Sequence, residues 1–446
     1  MLITFVRPTL FVRHTQCCFK KLMFLCLFIG WQISFVQAES TDQVITLNTA
    51  LKRAIEQNPG LKVFEFRNAA LNGQMKMAGL KPAYELGVEA ENFLGSGEQR
   101  GIDSTELTVS LSSVLEMGDK RAARQGVVSN SRSVLDAQRQ VESLALLGDV
   151  TRRYVDVLAT QEQVSLAKEA NALAAETLSI VRKRAKAGAI PDAEVKRALA
   201  AAAQAQLTLL STQQQLDYLK VSLAALWGDA APNFSSVEGD LYYFGTDVEF
   251  KTLFAKMESN PAIQIFAAEE RLRDAGVRLA KTQSKADISW SVGMRRFQAS
   301  DDAALVAGFS MPLFSSKRNS GAVSTALAQR NEITVQKEVA LLNMHTQLFR
   351  AFHNRRQAII ATKELQGTII PALSDALKET RLAYQRGRYG YLEYVSARQE
   401  LLNARRTLIE SASSALTYAA EIEQLTAEPL SATQYGESIE FSGSVR

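Results

Sequence analysis

Cysteine and histidine are scarce here, with three of each in 446 residues. All three cysteines (Cys17, Cys18, Cys26) lie before residue 38. Beyond that point a disulfide framework and a thiolate metal site are excluded. The histidines left there, His345 and His353, are too far apart along one expected helix to share a metal ion. No Gly-rich phosphate loop, nucleophile elbow or zinc motif is present. An enzyme with a catalytic constellation or a resident cofactor is therefore not expected.

Excess charge is missing too. The chain has 51 Lys and Arg against 47 Asp and Glu. Arg7, Arg13, Lys20 and Lys21 supply the surplus, with no acid among them. Without them the balance is even, which leaves no footprint for nucleic acid. Long apolar runs are absent except for LMFLCLFIGWQISFV, residues 22–36. That run is shorter than the roughly 20 residues a spanning helix needs. A basic start, an apolar stretch and Ala38 predict a secretory signal over 1–38, cleaved before Glu39. Leu25 precedes Cys26, so that cysteine does not read as a lipid-attachment site.

What is present is helical periodicity. Leu47, Ala50, Leu51, Ala54 and Ile55 recur at helical spacing. Pro59 is expected to kink this helix and Pro82 to end it. Residues 84–94 then change period. Tyr84, Leu86, Val88 and Ala90 alternate with Glu85, Gly87, Glu89 and Glu91. After a turn, Leu107, Val109 and Leu111 alternate with Glu106, Thr108, Ser110 and Ser112. Such a hairpin suits a core with one wet side, and equally a membrane barrel with a water-filled lumen.

From Asp119 to Ala187 there is no proline. That is about 100 Å of helix at ~1.5 Å per residue. Two stripes run along it with steps of three and four, as in a coiled coil. One is Val134, Ala137, Val141, Leu144, Gly148, Thr151, Val155 and Leu158. The other is Leu147, Val150, Tyr154, Val157, Gln161 and Val164. Two seams imply neighbours on both sides, like a stave in a closed ring of helices.

The helix stops at Gly188, and a helix from 191 to 227 follows. The pattern then repeats. Asn260-Pro261 matches Asn58-Pro59, strands are expected over 286–297 and 303–314, and a second long helix over 320–386 is interrupted at Gly367 and Pro371. It turns at Gly387, 199 positions after Gly188 (387 − 188). Glu194 and Glu393 follow the two corners at the same offset. The expected fold is mainly α with a small β part, in two repeats, 39–245 and 246–428, with a polar tail over 429–446. Four strands are too few to close a barrel, but three chains would supply twelve.

Three stretches carry a family resemblance: ALKRAIEQNPGL (50–61), EMGDKRAAR (116–124) and MRRFQASDDAALVAGFSMPLFSSKRNSGAV (294–323). With the two corners, they resemble the TolC-type outer-membrane efflux proteins over residues 45–427, and within them the heavy-metal (CzcC-like) branch. Lys317 stands where that branch has an acid before Arg318, and a second proline is missing.

The resemblance implies a homotrimer with a 12-stranded transmembrane β-barrel and a helical tunnel in the periplasm. It also implies a periplasmic adaptor and an inner-membrane resistance-nodulation-division pump as partners. The cargo would be heavy-metal cations of the cobalt, zinc, cadmium or copper class, passing through a passive conduit. The corners would form the gate. Tyr384 falls where the family has a tyrosine that bonds across the closed tip, here toward Glu194, and Glu393 would ring the entrance. Ser396 occupies the family's second acidic position, so a double ring is not expected. Both glutamates equally suit a helix N-terminus. Arg184, Lys186, Gly188, Arg386, Gly387 and Tyr389 would meet the adaptor. Glu85, Glu89, Glu91 and Glu106 would line an acidic lumen, opposed by Arg295 and Arg296; a simply polar interior explains them as well. A channel for drugs or type I protein secretion, and a periplasmic coiled-coil scaffold without a pore, are the competing readings.

Overall fold

Two Asn-Pro pairs set the first break in each half. The computed structural model describes residues 43–429, so the expected signal segment and the tail from residue 430 lie outside the described residues. Strand β1 (Val44–Ile45) leads into α1 (Leu47–Gln57) and α2 (Pro59–Ala78). Between the helices, Asn58 Oδ1 accepts from the Leu61 amide at 3.1 Å. That caps α2, where the Pro59 ring suits a first turn that needs no N–H. Asn58 Nδ2 donates to the Leu226 carbonyl at 2.7 Å. Helix α2 ends at Ala78 with Gly79 as its cap, before Pro82 is reached.

Strands β2 (Glu85–Glu91) and β3 (Glu106–Leu115) follow, then α3 (Lys120–Lys186), α4 (Asp192–Ala224) and β4 (Ser236–Val237). The order then recurs with α5 (Phe250–Met257), α6 (Pro261–Gln283), β5 (Ile288–Phe297), β6 (Asp302–Ser310), α7 (Ser315–Arg318), α8 (Ser320–Glu364), α9 (Ile370–Gln385) and α10 (Tyr391–Thr426). Asn260 repeats the device of Asn58. Its Oδ1 accepts from Ala262 N at 2.8 Å, and its Nδ2 reaches the carbonyls of Gln424 (2.8 Å) and Leu425 (3.0 Å). Each asparagine thus starts one helix and fastens the end of another.

The four longer strands form one open antiparallel sheet in the order β2-β3-β5-β6. Strand β6 stops at Ser310, short of the expected 314, where Pro312 offers no ladder donor. The second long helix is continuous but widened. Leu365–Ile369 form a π-helical segment. Pro371 cannot donate to the Gly367 carbonyl and would clash with it, and the wider turn accommodates both.

The two stripes of α3 are both turned inward, with Val134, Gly148, Thr151, Val155 and Leu158 of the first and Val150, Tyr154, Val157 and Val164 of the second buried. They face different neighbours. A side chain at Gly148 would collide with Gln424 of α10, which Arg152 holds at 2.8 Å. On the second stripe, the Tyr154 phenol lies 2.9 Å from the Ile45 carbonyl and 2.5 Å from that of Glu238. Burial pushes this phenol up to about 12. Gln161 bonds both the amide and the carbonyl of Val237, at 2.8 and 3.0 Å. These contacts hold the parallel β1–β4 pair and the connector after it against the helices. Among the described residues no helix is long and apolar enough to cross a membrane.

Candidate functional site

Both long helices end in the same way. At the first corner the Gly188 amide bonds the Ala185 carbonyl (2.9 Å) and Ala189 bonds Arg184 (3.0 Å). At the second, Gly387 bonds Tyr384 (3.0 Å) and Arg388 bonds Ala383 (2.9 Å). This is the Schellman pattern, which needs a left-handed residue after the helix. Gly188 and Gly387 supply it, with φ of 72° and 74°. A helix then restarts, with Asp192 and Glu194 in the first turn of α4 and Glu393 in that of α10. Pro191 sits one position ahead of that turn, as the cap.

The corners pack on one another through a small core of Leu178, Val181, Ala198, Tyr384, Tyr391 and Tyr394. Tyr384 is 1% exposed, and its ring stacks on Tyr394 with centroids 5.5 Å apart and planes 6° from parallel. Arg184 lies over the other face, 4.4 Å from the centroid, and its Nη1 donates to the Tyr384 carbonyl at 2.5 Å. Tyr384 Oη and Glu194 Oε2 are both buried and without a hydrogen-bond partner. Burial pushes the Tyr384 phenol pKa up, opposed by the positive charge of Arg184 and reinforced by Glu194. Thus Glu194 and Tyr384 share one neighbourhood, with no bond between them in this chain. Glu393 is exposed, and its carboxylate lies over Gly390, so close that a side chain there would meet it at 2.7 Å. That posture suits the helix N-terminus.

Of the six residues expected to meet an adaptor, Lys186, Gly188, Arg386, Gly387 and Tyr389 are exposed. Arg184 is half-buried and engaged within the tip. Between Thr177 and Pro191, and between Thr380 and Leu392, there is no acid. Arg182, Lys183, Lys186, Arg386 and Arg388 stand exposed there, giving the tip a positive outer surface.

The sheet has two distinct faces. Cross-strand partners place Leu86, Val88, Leu107, Val109, Leu111, Trp290, Val292, Met294, Leu305 and Phe309 on one side. Leu305 and Phe309 are 82% and 86% exposed. Glu85, Glu89, Glu91, Glu106, Thr108, Ser110, Ser112 and Arg295 share the other. Arg295 binds Glu91 (2.8 Å) and Glu106 (2.9 Å) and donates to Thr108 (2.9 Å). Its neighbour Arg296 points to the apolar side and pairs with Asp301 at 2.5 Å. The four expected lumen acids therefore divide. Two share one arginine, while Glu85 and Glu89 stay exposed with no ion pair among the described residues. The histidines lie on aromatic rings instead of near each other. His345 meets Phe254 at 5.0 Å and His353 meets Phe349 at 4.3 Å.

One constellation has no reading in the sequence alone, although its motif EMGDKRAAR stands out. Where β3 turns into α3, Gly118 and Asp119 both take left-handed conformations. Lys120 pairs with Asp287 at 2.7 Å, and Asp287 also accepts from the Met117 amide at 3.0 Å. Arg124 grips Glu116 and donates to the Leu80 carbonyl at 3.2 Å. Residues from three chain segments thus form a joint between sheet and helices. The hydrogen bond from Arg124 holds Glu116 below its ordinary pKa. Burial works to raise Asp287, but Lys120 and the Met117 amide outweigh it and hold it low. The joint's stabilisation is then full above the ordinary carboxylate values near ~4 and fades as pH falls through the lowered ones. Asp287→Asn is expected to lower the melting temperature at pH 7. The gap from wild type should close as pH drops below about 4, and thermal scans against pH check this.

Residues 50–229 match the family described as outer membrane efflux protein. The cobalt-zinc-cadmium resistance protein CzcC of Cupriavidus metallidurans is 24% identical over 361 residues, covering 81% of this chain and 85% of that protein. The pyoverdine export outer membrane protein OpmQ of Pseudomonas putida is 26% identical over 374 residues, covering 77% and 76%. In fold, the CmeC outer membrane channel of Campylobacter jejuni superposes with a TM-score of 0.69 at 14% identity, over 88% of this chain and 87% of that one. Residues 50–229 thus match an efflux family rather than an enzyme family, and the fold is that of outer-membrane channels. The resemblance carried by its motifs is borne out.

Proposed function

We propose that three copies of this chain form an outer-membrane channel that exports heavy-metal cations for an inner-membrane pump. The two-faced sheet carries this reading. Its apolar side is exposed, and β2 and β6 leave two open edges. In lipid every backbone polar group needs a partner, so an open edge is untenable there and closure is required. Three four-stranded sheets supply the twelve strands of a closed barrel, with the apolar faces against lipid and the glutamate faces inward. Helix α3, with its two buried seams, and the second long helix would continue it as a periplasmic tunnel.

The corners would then be the tunnel's tip. Glu194, Tyr384 and Glu393 are placed to form the gate, with Tyr384 bonding Glu194 at closure and three Glu393 side chains around the mouth. The exposed basic residues of the tip would meet an adaptor of complementary acidic charge. That contact would also mask a positive mouth that otherwise repels cations. Inside the barrel, Glu85 and Glu89 keep a negative field after Arg295 has taken Glu91 and Glu106.

For the cargo, the likeness to CzcC supports metal cations of the cobalt, zinc, cadmium or copper class. The likeness to OpmQ supports a second reading, an organic cargo such as a siderophore. Deleting the gene separates them. Metal export predicts lower tolerance to cobalt, zinc or cadmium that plasmid expression restores, with siderophore secretion intact. Unchanged metal tolerance with impaired siderophore or drug export would favour the second reading.

A further inference from the structure

We infer that Arg184 is the positioning residue that holds the two corners together within each chain, and that it does so independently of the Tyr384 hydroxyl. This rests on the reading of the corners as a gate. The Tyr384 carbonyl accepts twice, once from the Gly387 amide that closes the second corner (3.0 Å) and once from Arg184 Nη1 (2.5 Å). Arg184's own carbonyl accepts from Ala189 and so closes the first corner (3.0 Å). One residue therefore completes both Schellman turns, the first with its backbone and the second with its side chain. The flat guanidinium also caps a column of rings, Arg184 over Tyr384 over Tyr394, drawn from α3, α9 and α10.

None of these contacts requires the Tyr384 hydroxyl; its buried Oη makes no hydrogen bond of ordinary geometry, although Arg184 acts on it electrostatically. The other ties between α3 and the second pair lie farther up the helices: Arg398 to Thr177, Arg381 to Glu176 and Arg405 to Glu169. Arg184 is nearer to both corner glycines than any of these. Swinging α9 and α10 away from α3 and α4 must break its bond. A charge-assisted hydrogen bond and a partly desolvated cation–π contact are lost together in that motion.

The test is the closed-state leak of the full-length trimer in planar bilayers. Arg184→Ala should raise the leak about tenfold or more, given the usual strength of the two contacts. The conductance of fully open pores should stay unchanged, an outcome that general destabilisation would not give. Arg184→Lys keeps the charge but loses the flat fork, so it should fall between. Tyr384→Phe keeps both the carbonyl and the ring, so Arg184→Ala should raise the leak by the same factor, within about twofold, in the Tyr384→Phe background as in wild type. A leaky Tyr384→Phe with a tight Arg184→Ala would overturn the inference. Should Arg184→Ala not assemble, an Arg184→Lys leak equal to wild type would overturn it as well. If no trimer conducts at any voltage, wild type included, the channel reading fails instead.

Discussion

Leu305→Arg is expected to abolish the outer-membrane trimer. Leu305 lies near the middle of β6, opposite Met294, on the exposed apolar face. In water such a surface substitution would change stability by less than about 0.5 kcal/mol. At the middle of a lipid-facing barrel wall, arginine costs about 2–4 kcal/mol. A trimer places three of them there. Val306→Arg is the matched control, because the next residue faces the polar side, where charge is tolerated. Heat-modifiable migration of membrane fractions reads the outcome. The expected result is no trimer for Leu305→Arg and a normal trimer for Val306→Arg. Equal assembly of the two would remove the membrane assignment of the apolar face.

Asn260→Ala is expected to be the most damaging change away from the sheet. Asn260 is 1% exposed and makes three hydrogen bonds. Removing it deletes the cap of α6, a loss of about 1 kcal/mol. It also strips donors from two carbonyls at the end of α10, each a penalty of ~1–3 kcal/mol when buried. A total of about 3–7 kcal/mol follows, read as a lower urea midpoint at unchanged slope. Asn260→Asp should fare no better. It keeps the cap oxygen but turns a second oxygen toward the carbonyls of Gln424 and Leu425. Asn58→Ala should be milder, because Asn58 is half-buried and fastens one carbonyl only.

The helices and strands were legible because their signals are local. A glycine after a charged helical run marked both corners, and alternation in 84–94 and 107–112 marked the first hairpin. The twin Asn-Pro pairs marked matching positions, though not the carbonyls they reach, which lie 168 and 165 positions away for Leu226 and Leu425. Long-range side-chain choices had no such signal. Nothing near Arg184 shows that it turns onto Tyr384 instead of toward solvent with Lys186. Nothing in MRRF shows that Arg295 spans two glutamates while Arg296 faces the other way; the register of β3 on β5 decides it. Strands β1 and β4 were missed because two residues cannot display a period. The π segment at Leu365–Ile369 was visible only as a glycine and a proline in an otherwise helical run.

Ion selectivity of the purified trimer in planar bilayers tests the central claim most directly. Under a salt gradient, an acidic lumen predicts a reversal potential displaced toward the cation limit, with Glu85→Gln and Glu89→Gln together reducing the displacement. Failure of the wild-type protein to conduct, or a pore that prefers anions, would contradict a conduit for metal cations.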